Sequence, residues 1–150
     1  MKILVINGPN LNMLGRRELN IYGSETFEKI WEWLKGHFPE EELEYFQSNS
    51  EGELISRLHK MEDENFNGLV INPGAFTHYS YALRDALRIV QVPKVEVHMS
   101  NIFARDEFRQ KSVTGAAVHG VIGGLGKDGY KLAIDWILSH KKRKVGFGAS

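Results

Sequence analysis

Three polar side chains alternate with apolar ones in one short segment of the chain. Glu96, His98 and Ser100 occupy every second position of the run that begins at Val95. Because successive side chains of a β-strand point to opposite faces, a strand here would place all three on one side. A carboxylate beside an imidazole orients the ring and supports proton transfer near neutral pH, so we predict a catalytic histidine held by Glu96. The alternative is a buried polar seam whose members satisfy one another's hydrogen bonds.

A pair of arginines follows this segment. Arg105 and Arg109 are four residues apart, and in a short helix that spacing would bring both guanidinium groups to one face. Guanidinium groups bind carboxylates through two parallel hydrogen bonds, so the pair indicates an anionic substrate. The alternative is that both are solvated or paired with a neighbour such as Asp106.

A turn between two predicted elements adds two more polar residues. Pro73–Gly74 predicts a tight turn, and Thr77 is the expected N-cap of the next helix. Asn72 ends the preceding strand and His78 follows the turn. The carboxyl ends of parallel strands meet at one edge of a sheet, so both side chains would lie near His98.

Asp85 follows His78 by seven residues. In a helix that is about two turns, or ~10 Å along the axis, so one small ligand could hardly contact both within a subunit. Asp85 is therefore either a surface acid paired with Arg84 or Arg88, or a residue that serves a neighbouring subunit.

The connection between the first predicted strand and the first predicted helix is long. It runs from Gly8 to Gly23, whereas such connections commonly take about 2–6 residues. It carries Asn10, Arg17 and Tyr22. A guanidinium near a phenol stabilises the phenolate, which makes Tyr22 a candidate base for a carbon-bound proton. A surface excursion without function is the alternative.

Strands that alternate with helices would position these residues. Apolar and β-branched runs predict five strands, at Lys2–Asn7, Glu42–Ser48, Gly68–Asn72, Lys94–Ser100 and Ala116–Val121. Apolar residues at helical spacing predict helices between them, one of which begins with a capping box of Ser50 and Glu53. We predict an α/β fold, a flavodoxin-like three-layer sandwich whose five-stranded parallel sheet has the order 2-1-3-4-5.

The composition limits the classes of function. The chain has 150 residues, which suits one domain over 1–150 with a flexible tail at 141–150. Its 19 basic and 19 acidic side chains balance, which argues against a dedicated nucleic-acid or membrane-surface binder. It has no cysteine, which excludes thiol catalysis and disulfides, and its histidines lack metal-binding spacing. The longest apolar run, Ile3–Ile6, is far shorter than the ~20 residues of a membrane span, so we expect a cytoplasmic protein.

Several motifs together resemble the type II 3-dehydroquinate dehydratases. They are Asn-Gly-Pro-Asn-Leu-Asn-Met-Leu-Gly at 7–15, Tyr-Gly at 22–23, Phe-Gln-Ser-Asn at 46–49, Ile-Asn-Pro-Gly-Ala at 71–75, Thr-His at 77–78, Glu-Val-His-Met-Ser-Asn at 96–101, Phe-Arg at 108–109, Gly-Leu-Gly at 124–126 and Gly-Tyr at 129–130. The match runs in order over roughly residues 2–138. The resemblance implies a flavodoxin-like fold and the dehydration of 3-dehydroquinate to 3-dehydroshikimate, without cofactor or metal. That reaction belongs to the shikimate pathway or to quinate breakdown.

The resemblance also implies a division of catalytic roles. Tyr22 would remove the proton alpha to the ketone, and Arg17 beside it would stabilise the developing charge. An enolate would follow, with Asn10 helping to hold a water against its oxygen. His98, held by Glu96, would then protonate the departing hydroxyl.

The substrate-binding residues implied by the resemblance are Asn72, His78, Arg109, Ser100, the backbone amide of Met99 and, through the lid, Arg105. Ser100 and the Met99 amide would hold the carboxylate. The family assembles trimers into a dodecamer, in which Asp85 would reach a neighbour's site.

Two other functions stay open at this point. The glycine-rich segment at 120–126 would suit a non-enzymatic flavodoxin-like module that binds a nucleotide or a flavin. An inactive homologue that serves as an assembly subunit is disfavoured, because every catalytic position carried over is filled.

Overall fold

A five-stranded sheet forms the centre of the chain. The computed structural model describes residues 1–16 and 18–140, so Arg17 and the predicted tail at 141–150 lie outside the described residues. The strands are β1 Lys2–Asn7, β2 Glu42–Gln47, β3 Gly68–Asn72, β4 Lys94–His98 and β5 Gly120–Gly123. Their order is β2-β1-β3-β4-β5, and every pairing is parallel. The predicted order 2-1-3-4-5 is confirmed.

Helices cover both faces of this sheet. They are α1 Leu19–Tyr22, α2 Phe27–His37, α3 Glu51–Lys60, α4 Tyr81–Ile89 and α5 Asp128–Ser139. Ile3 and Val5 of β1 pack in one core with α2 and α5, whereas Leu4 and Ile6 pack in another with α3 and α4. The apolar run Ile3–Ile6 of β1, which is buried on both faces, explains this division. No helix in the described part of the chain is long and apolar enough to cross a membrane.

The last strand begins later than predicted. Gly115–Ala117 forms a 3-10 turn, so the strand is Gly120–Gly123 rather than Ala116–Val121. The glycine-rich segment at 120–126 therefore consists of this strand and the turn that follows it. In that turn the Gly124 N–H donates to the carbonyl of His98.

The helix after β3 also begins later than predicted. Thr77 is not its N-cap, because Gly74–His78 forms a separate 3-10 turn. α4 begins at Tyr81, and the Ser80 Oγ caps it by accepting from the Leu83 N–H at 3.0 Å. The Thr77 side chain therefore does not cap α4, and it is buried against the sheet.

The capping box predicted for α3 forms only in part. Ser50 Oγ accepts from the Glu53 N–H at 3.2 Å, as predicted. The Glu53 carboxylate accepts from Ser48 Oγ instead of the Ser50 N–H. That N–H donates to Ser48 Oγ at 3.0 Å, so Ser48 completes the cap.

Candidate active site

The segments that follow β1, β3 and β4 enclose a narrow cleft of about 70 Å³ at the carboxyl edge of the sheet. Nine of the twelve predicted site residues line it, namely Asn10, Tyr22, Asn72, His78, His98, Met99, Ser100, Arg105 and Arg109. Glu96 lies behind His98. Asp85 lies on α4, away from the cleft, and Arg17 lies outside the described residues.

Glu96 and His98 form a buried pair. They share one face of β4, as the alternation predicted, and His98 Nε2 lies 2.6 Å from Glu96 Oε2. Thr114 Oγ1 donates to Oε1 at 2.6 Å, and Thr77 Oγ1 donates to Oε2 at 2.7 Å. Burial alone would raise the pKa of Glu96, but the hydrogen bond and charge of His98, helped by the two hydroxyls, lower it overall. The Glu96 carboxylate is therefore an acceptor, and Nδ1 is the His98 nitrogen left for the cleft.

An arginine contacts the phenol of Tyr22. Tyr22 ends the short helix α1, and Arg105 Nη1 donates to its hydroxyl. The guanidinium carbon of Arg105 also lies 5.3 Å from the centre of the Tyr22 ring. The same guanidinium donates to Ser100 Oγ at 3.4 Å and to Glu18 Oε2 at 3.5 Å. Arg105 thus joins the segment that carries Tyr22 to the end of β4.

The two predicted arginines do not share a helix. Ile102–Ala104 and Glu107–Gln110 are separate 3-10 turns, and Arg105 lies between them. Both arginines line the cleft nevertheless. Arg109 also pairs with Asp106 at 3.6 Å, so the predicted ion pair and the predicted position in the site are both present.

Asn72 is held on the cleft floor by a buried network. Its Nδ2 donates to the Tyr130 hydroxyl at 3.0 Å, and that hydroxyl donates to Asn7 Oδ1 at 2.7 Å. Asn72 Oδ1 accepts from the Gly74 N–H at 3.1 Å. Tyr130 lies on α5, so a helix of the layer that α5 forms with α2 orients a residue of the cleft. Sequence reasoning did not identify Tyr130 or Asn7 as supports for the site.

The turn beside Asn72 packs closely against β1. The Gly8 N–H donates to the Asn72 carbonyl at 2.7 Å. A Cβ at Gly8 would lie 2.5 Å from the Pro73 carbonyl oxygen, so this position requires glycine. Next to it, Asn10 adopts a left-handed backbone with φ of 70°, and its N–H donates to Asn49 Oδ1 at 3.0 Å.

His78 presents one ring nitrogen to the cleft. Its Nδ1 lies 2.7 Å from the carbonyl oxygen of Lys111, and because a carbonyl can only accept, Nδ1 carries the proton. Burial lowers the pKa of His78, which favours the neutral ring. In that state Nε2 is a hydrogen-bond acceptor.

Asp85 lies on the surface of α4. Its side chain is 68% exposed, and Oδ1 lies 3.6 Å from Arg84 Nε. The predicted continuous helix from His78 to Asp85 is wrong, because a 3-10 turn and Ser80 intervene. The pairing with Arg84 foreseen for a surface acid is present.

The part of the chain that the structure describes has no group of three or more histidine or acidic side chains that could hold a metal ion. The polar groups of the cleft are instead a phenol, two imidazoles, amides, a hydroxyl and two guanidiniums.

Comparisons with known proteins agree on one family. A profile described as "Dehydroquinase class II" matches residues 1–138. The 3-dehydroquinate dehydratase of Thermotoga neapolitana is 59% identical over 141 residues, which cover 91% of this chain and 94% of the relative. The enzyme of the same name from Clostridium beijerinckii is 55% identical over 136 residues, 89% of this chain and 93% of the relative. The crystal structure of the type II dehydroquinase from Butyrivibrio crossotus has a TM-score of 0.90 at 50% identity, and the match covers 92% of this chain and 97% of that one. The chain belongs to the class II dehydroquinase family.

Proposed function

We propose that this chain is a type II 3-dehydroquinate dehydratase, a hydro-lyase that converts 3-dehydroquinate to 3-dehydroshikimate with Tyr22 as base and His98 as acid. The observation that carries the assignment of residues is that the Tyr22–Arg105 contact and the Glu96–His98 pair meet at one cleft. A base and an acid in one cleft can remove a proton and a hydroxyl from neighbouring carbons.

The first step breaks the C–H bond alpha to the ketone. The Tyr22 phenolate takes the proton, the electron pair of that bond forms a C=C bond to the ketone carbon, and the ketone oxygen takes the negative charge as an enolate. The guanidinium of Arg105 places a positive charge against the phenol oxygen. Among the described residues, Arg105 therefore fills the position that the sequence assigned to Arg17, and we keep Arg17 as a second contributor. Asn10, at the cleft wall, would hold a water against the enolate oxygen.

The second step expels the hydroxyl. The enolate re-forms the ketone, the new C=C bond forms, and the C–O bond breaks. His98 gives a proton to the departing oxygen, so that water leaves. Because Nε2 is engaged by Glu96, that proton comes from Nδ1. The negative charge of Glu96 stabilises the imidazolium from which it is taken.

The remaining cleft residues would bind the substrate. Ser100 and the Met99 N–H would hold the carboxylate, close to the Arg105 guanidinium. Asn72, His78 and Arg109 would contact the ring hydroxyls, with His78 Nε2 as an acceptor. These groups supply both charges and directional hydrogen bonds for a polyhydroxylated acid.

The assay follows from the product. Incubation with 3-dehydroquinate should produce the absorbance of a conjugated enone, and its absence would refute the activity. Tyr22→Phe should bind substrate and lose turnover, whereas Tyr79→Phe, which alters a tyrosine 59% exposed on the surface, should behave like the parent enzyme. Sodium borohydride should leave activity intact, because no lysine imine forms. A borohydride-dependent lysine adduct would contradict the mechanism.

We further propose that the enzyme assembles as trimers within a dodecamer and that Asp85 completes a neighbour's site. Tyr81, Asp85 and Ile89 recur every four residues on the exposed face of α4, and Tyr81 and Ile89 are more than half exposed. An acid between two exposed apolar side chains suits a subunit interface.

Mixed oligomers test this arrangement. Asp85→Ala and Tyr22→Phe subunits should each be inactive alone, and co-expression should restore part of the activity by pairing an intact Tyr22 with a neighbour's Asp85. A monomer in sedimentation, or no restoration of activity in mixed oligomers, would contradict it.

The cytoplasmic location and the choice between biosynthesis and quinate breakdown stay predictions.

A further inference from the structure

Three hydroxyl groups that the proposed steps do not use surround the carboxylate of Glu96. We call Thr77, Ser112 and Thr114 the hydroxyl cluster. Thr77 comes from the turn after β3, and the other two come from the loop before β5. Thr77 and Thr114 are fully buried, and the cluster lies behind the residues that line the cleft.

The hydrogen bonds of the cluster run toward the carboxylate. Thr114 donates to Glu96 Oε1 at 2.6 Å, and Thr77 donates to Oε2 at 2.7 Å. A hydroxyl has a single proton, so Thr77 accepts from Ser112, whose Oγ lies 2.6 Å away. Ser112 Oγ in turn accepts from the Gly115 N–H at 2.9 Å. The ionised carboxylate can only accept, so it sets the direction of the hydrogen bonds from Ser112 through Thr77 to Glu96.

These donors compete with the imidazole for the negative charge of Glu96. A buried carboxylate with few donors is costly, and it lowers that cost by taking a proton from its partner. Each hydroxyl that donates to the ionised carboxylate makes it less basic, so the proton stays on His98 Nε2, 2.6 Å away. The ring is then held with Nε2 against the carboxylate and Nδ1 toward the cleft, where the departing hydroxyl would lie.

We propose that Thr77, Ser112 and Thr114 are positioning residues for the dehydration, which keep Glu96 ionised and hold its Oε2 against His98 Nε2, so that Nδ1 faces the departing hydroxyl. The inference rests on the proposed function. Thr114 is the central member of the hydroxyl cluster. It is the donor to Glu96 Oε1 in the described structure, whereas Oε2 accepts hydrogen bonds from both His98 and Thr77.

The test compares Thr114→Val with Thr114→Ser. Valine retains the shape and removes the hydroxyl, whereas serine retains the hydroxyl and removes a methyl group. We expect Thr114→Val to lower kcat by about 10- to 100-fold, the range for losing a hydrogen bond to a charged group. KM should change little, because Thr114 is not among the cleft residues. Thr114→Ser should stay within about threefold of the parent enzyme.

Nitrogen NMR of the histidine rings supplies a readout that packing alone would not move. We expect the proton between His98 and Glu96 to reside on Nε2 in the parent enzyme and in Thr114→Ser, and to pass to Glu96 in Thr114→Val. The inference would be overturned if the His98 ring signals were unchanged in Thr114→Val, or if Thr114→Val and Thr114→Ser lowered kcat equally. If Thr114→Val does not fold, Ser112→Ala is the second variant. We expect it to lower kcat by about 3- to 10-fold. A kcat equal to that of the parent enzyme would refute the inference. An enzyme without dehydratase activity would refute the proposed function, and the ring signals would still test the cluster.

Discussion

Removing the hydroxyl of Tyr130 should disturb both the stability of the fold and the binding of substrate. In Tyr130→Phe the ring keeps its place in the core, and only the oxygen between Asn72 and Asn7 is lost. Asn72 Nδ2 loses its acceptor, and Asn7 Oδ1 loses its donor. Both asparagines are buried, so water has little access to replace the lost partners.

The magnitude follows from the two orphaned groups. An unsatisfied buried polar group costs about 1–3 kcal/mol, and partial relaxation of the amides reduces the sum to about 2–4 kcal/mol. In a domain of this size that lowers Tm by about 4–16 °C. The freed Asn72 amide should also raise KM for 3-dehydroquinate, with a smaller effect on kcat.

Tyr45→Phe is the matched control. The Tyr45 hydroxyl also contacts the network, accepting from Asn7 Nδ2 at 3.3 Å, but its side chain is partly exposed. We expect a loss below about 1 kcal/mol and an unchanged KM. Urea unfolding followed by tryptophan fluorescence, together with the enone assay, measures both quantities. Equal stability and equal KM in Tyr130→Phe and the parent enzyme would refute the role of this network.

Three further predictions concern the backbone and two titratable groups. Gly8→Ala should destabilise the fold by about 1–3 kcal/mol and raise KM, because its Cβ would meet the Pro73 carbonyl at 2.5 Å. Gly36→Ala, whose Cβ would meet no described atom within 4 Å, should stabilise α2 by about 0.5–1 kcal/mol, and the reverse ranking in urea unfolding would contradict both. Burial lowers the pKa of His78, so the ring is neutral near pH 7 and gains a proton only at acidic pH. Because that proton removes the Nε2 acceptor, KM should rise at acidic pH. In His78→Gln the profile of KM against pH should lack this rise. Burial lowers the pKa of Lys94 to about 8 from 10.5, so the unfolded state binds more protons between these values and the free energy of unfolding should rise with pH there. Lys94→Met should flatten that rise, and an unchanged slope in urea titrations would contradict it.

The parts of the fold that depend on local patterns were predictable from the sequence. The alternation of Glu96 and His98 on β4 predicted their shared face, and the apolar run Ile3–Ile6 of β1 predicted a central parallel strand. The fifth strand was misplaced because the apolar run at 116–118 resembles a short buried strand, whereas Gly115–Ala117 forms a 3-10 turn and the pairing with β4 begins at Gly120.

The supports of the site were not predictable in the same way. Thr77 looked like a helix cap because threonine is a common N-cap residue, but Ser80 takes that position and Thr77 donates to Glu96. The contact of Arg105 with Tyr22 joins residues 83 positions apart, and that of Tyr130 with Asn7 joins residues 123 positions apart. Such contacts depend on the packing of whole layers, which has no local pattern in the chain.

The link from α5 to the cleft floor has a consequence for the order in which the site matures during synthesis. Asn7 leaves the ribosome first and Asn72 follows, yet the phenol that orients both belongs to a helix made much later. Until Tyr130 docks, Asn72 Nδ2 lacks this acceptor and Asn7 Oδ1 lacks this donor. A nascent chain whose strands have formed but whose α5 has not docked should therefore hold substrate poorly, which would delay binding until that helix completes the core it shares with α2.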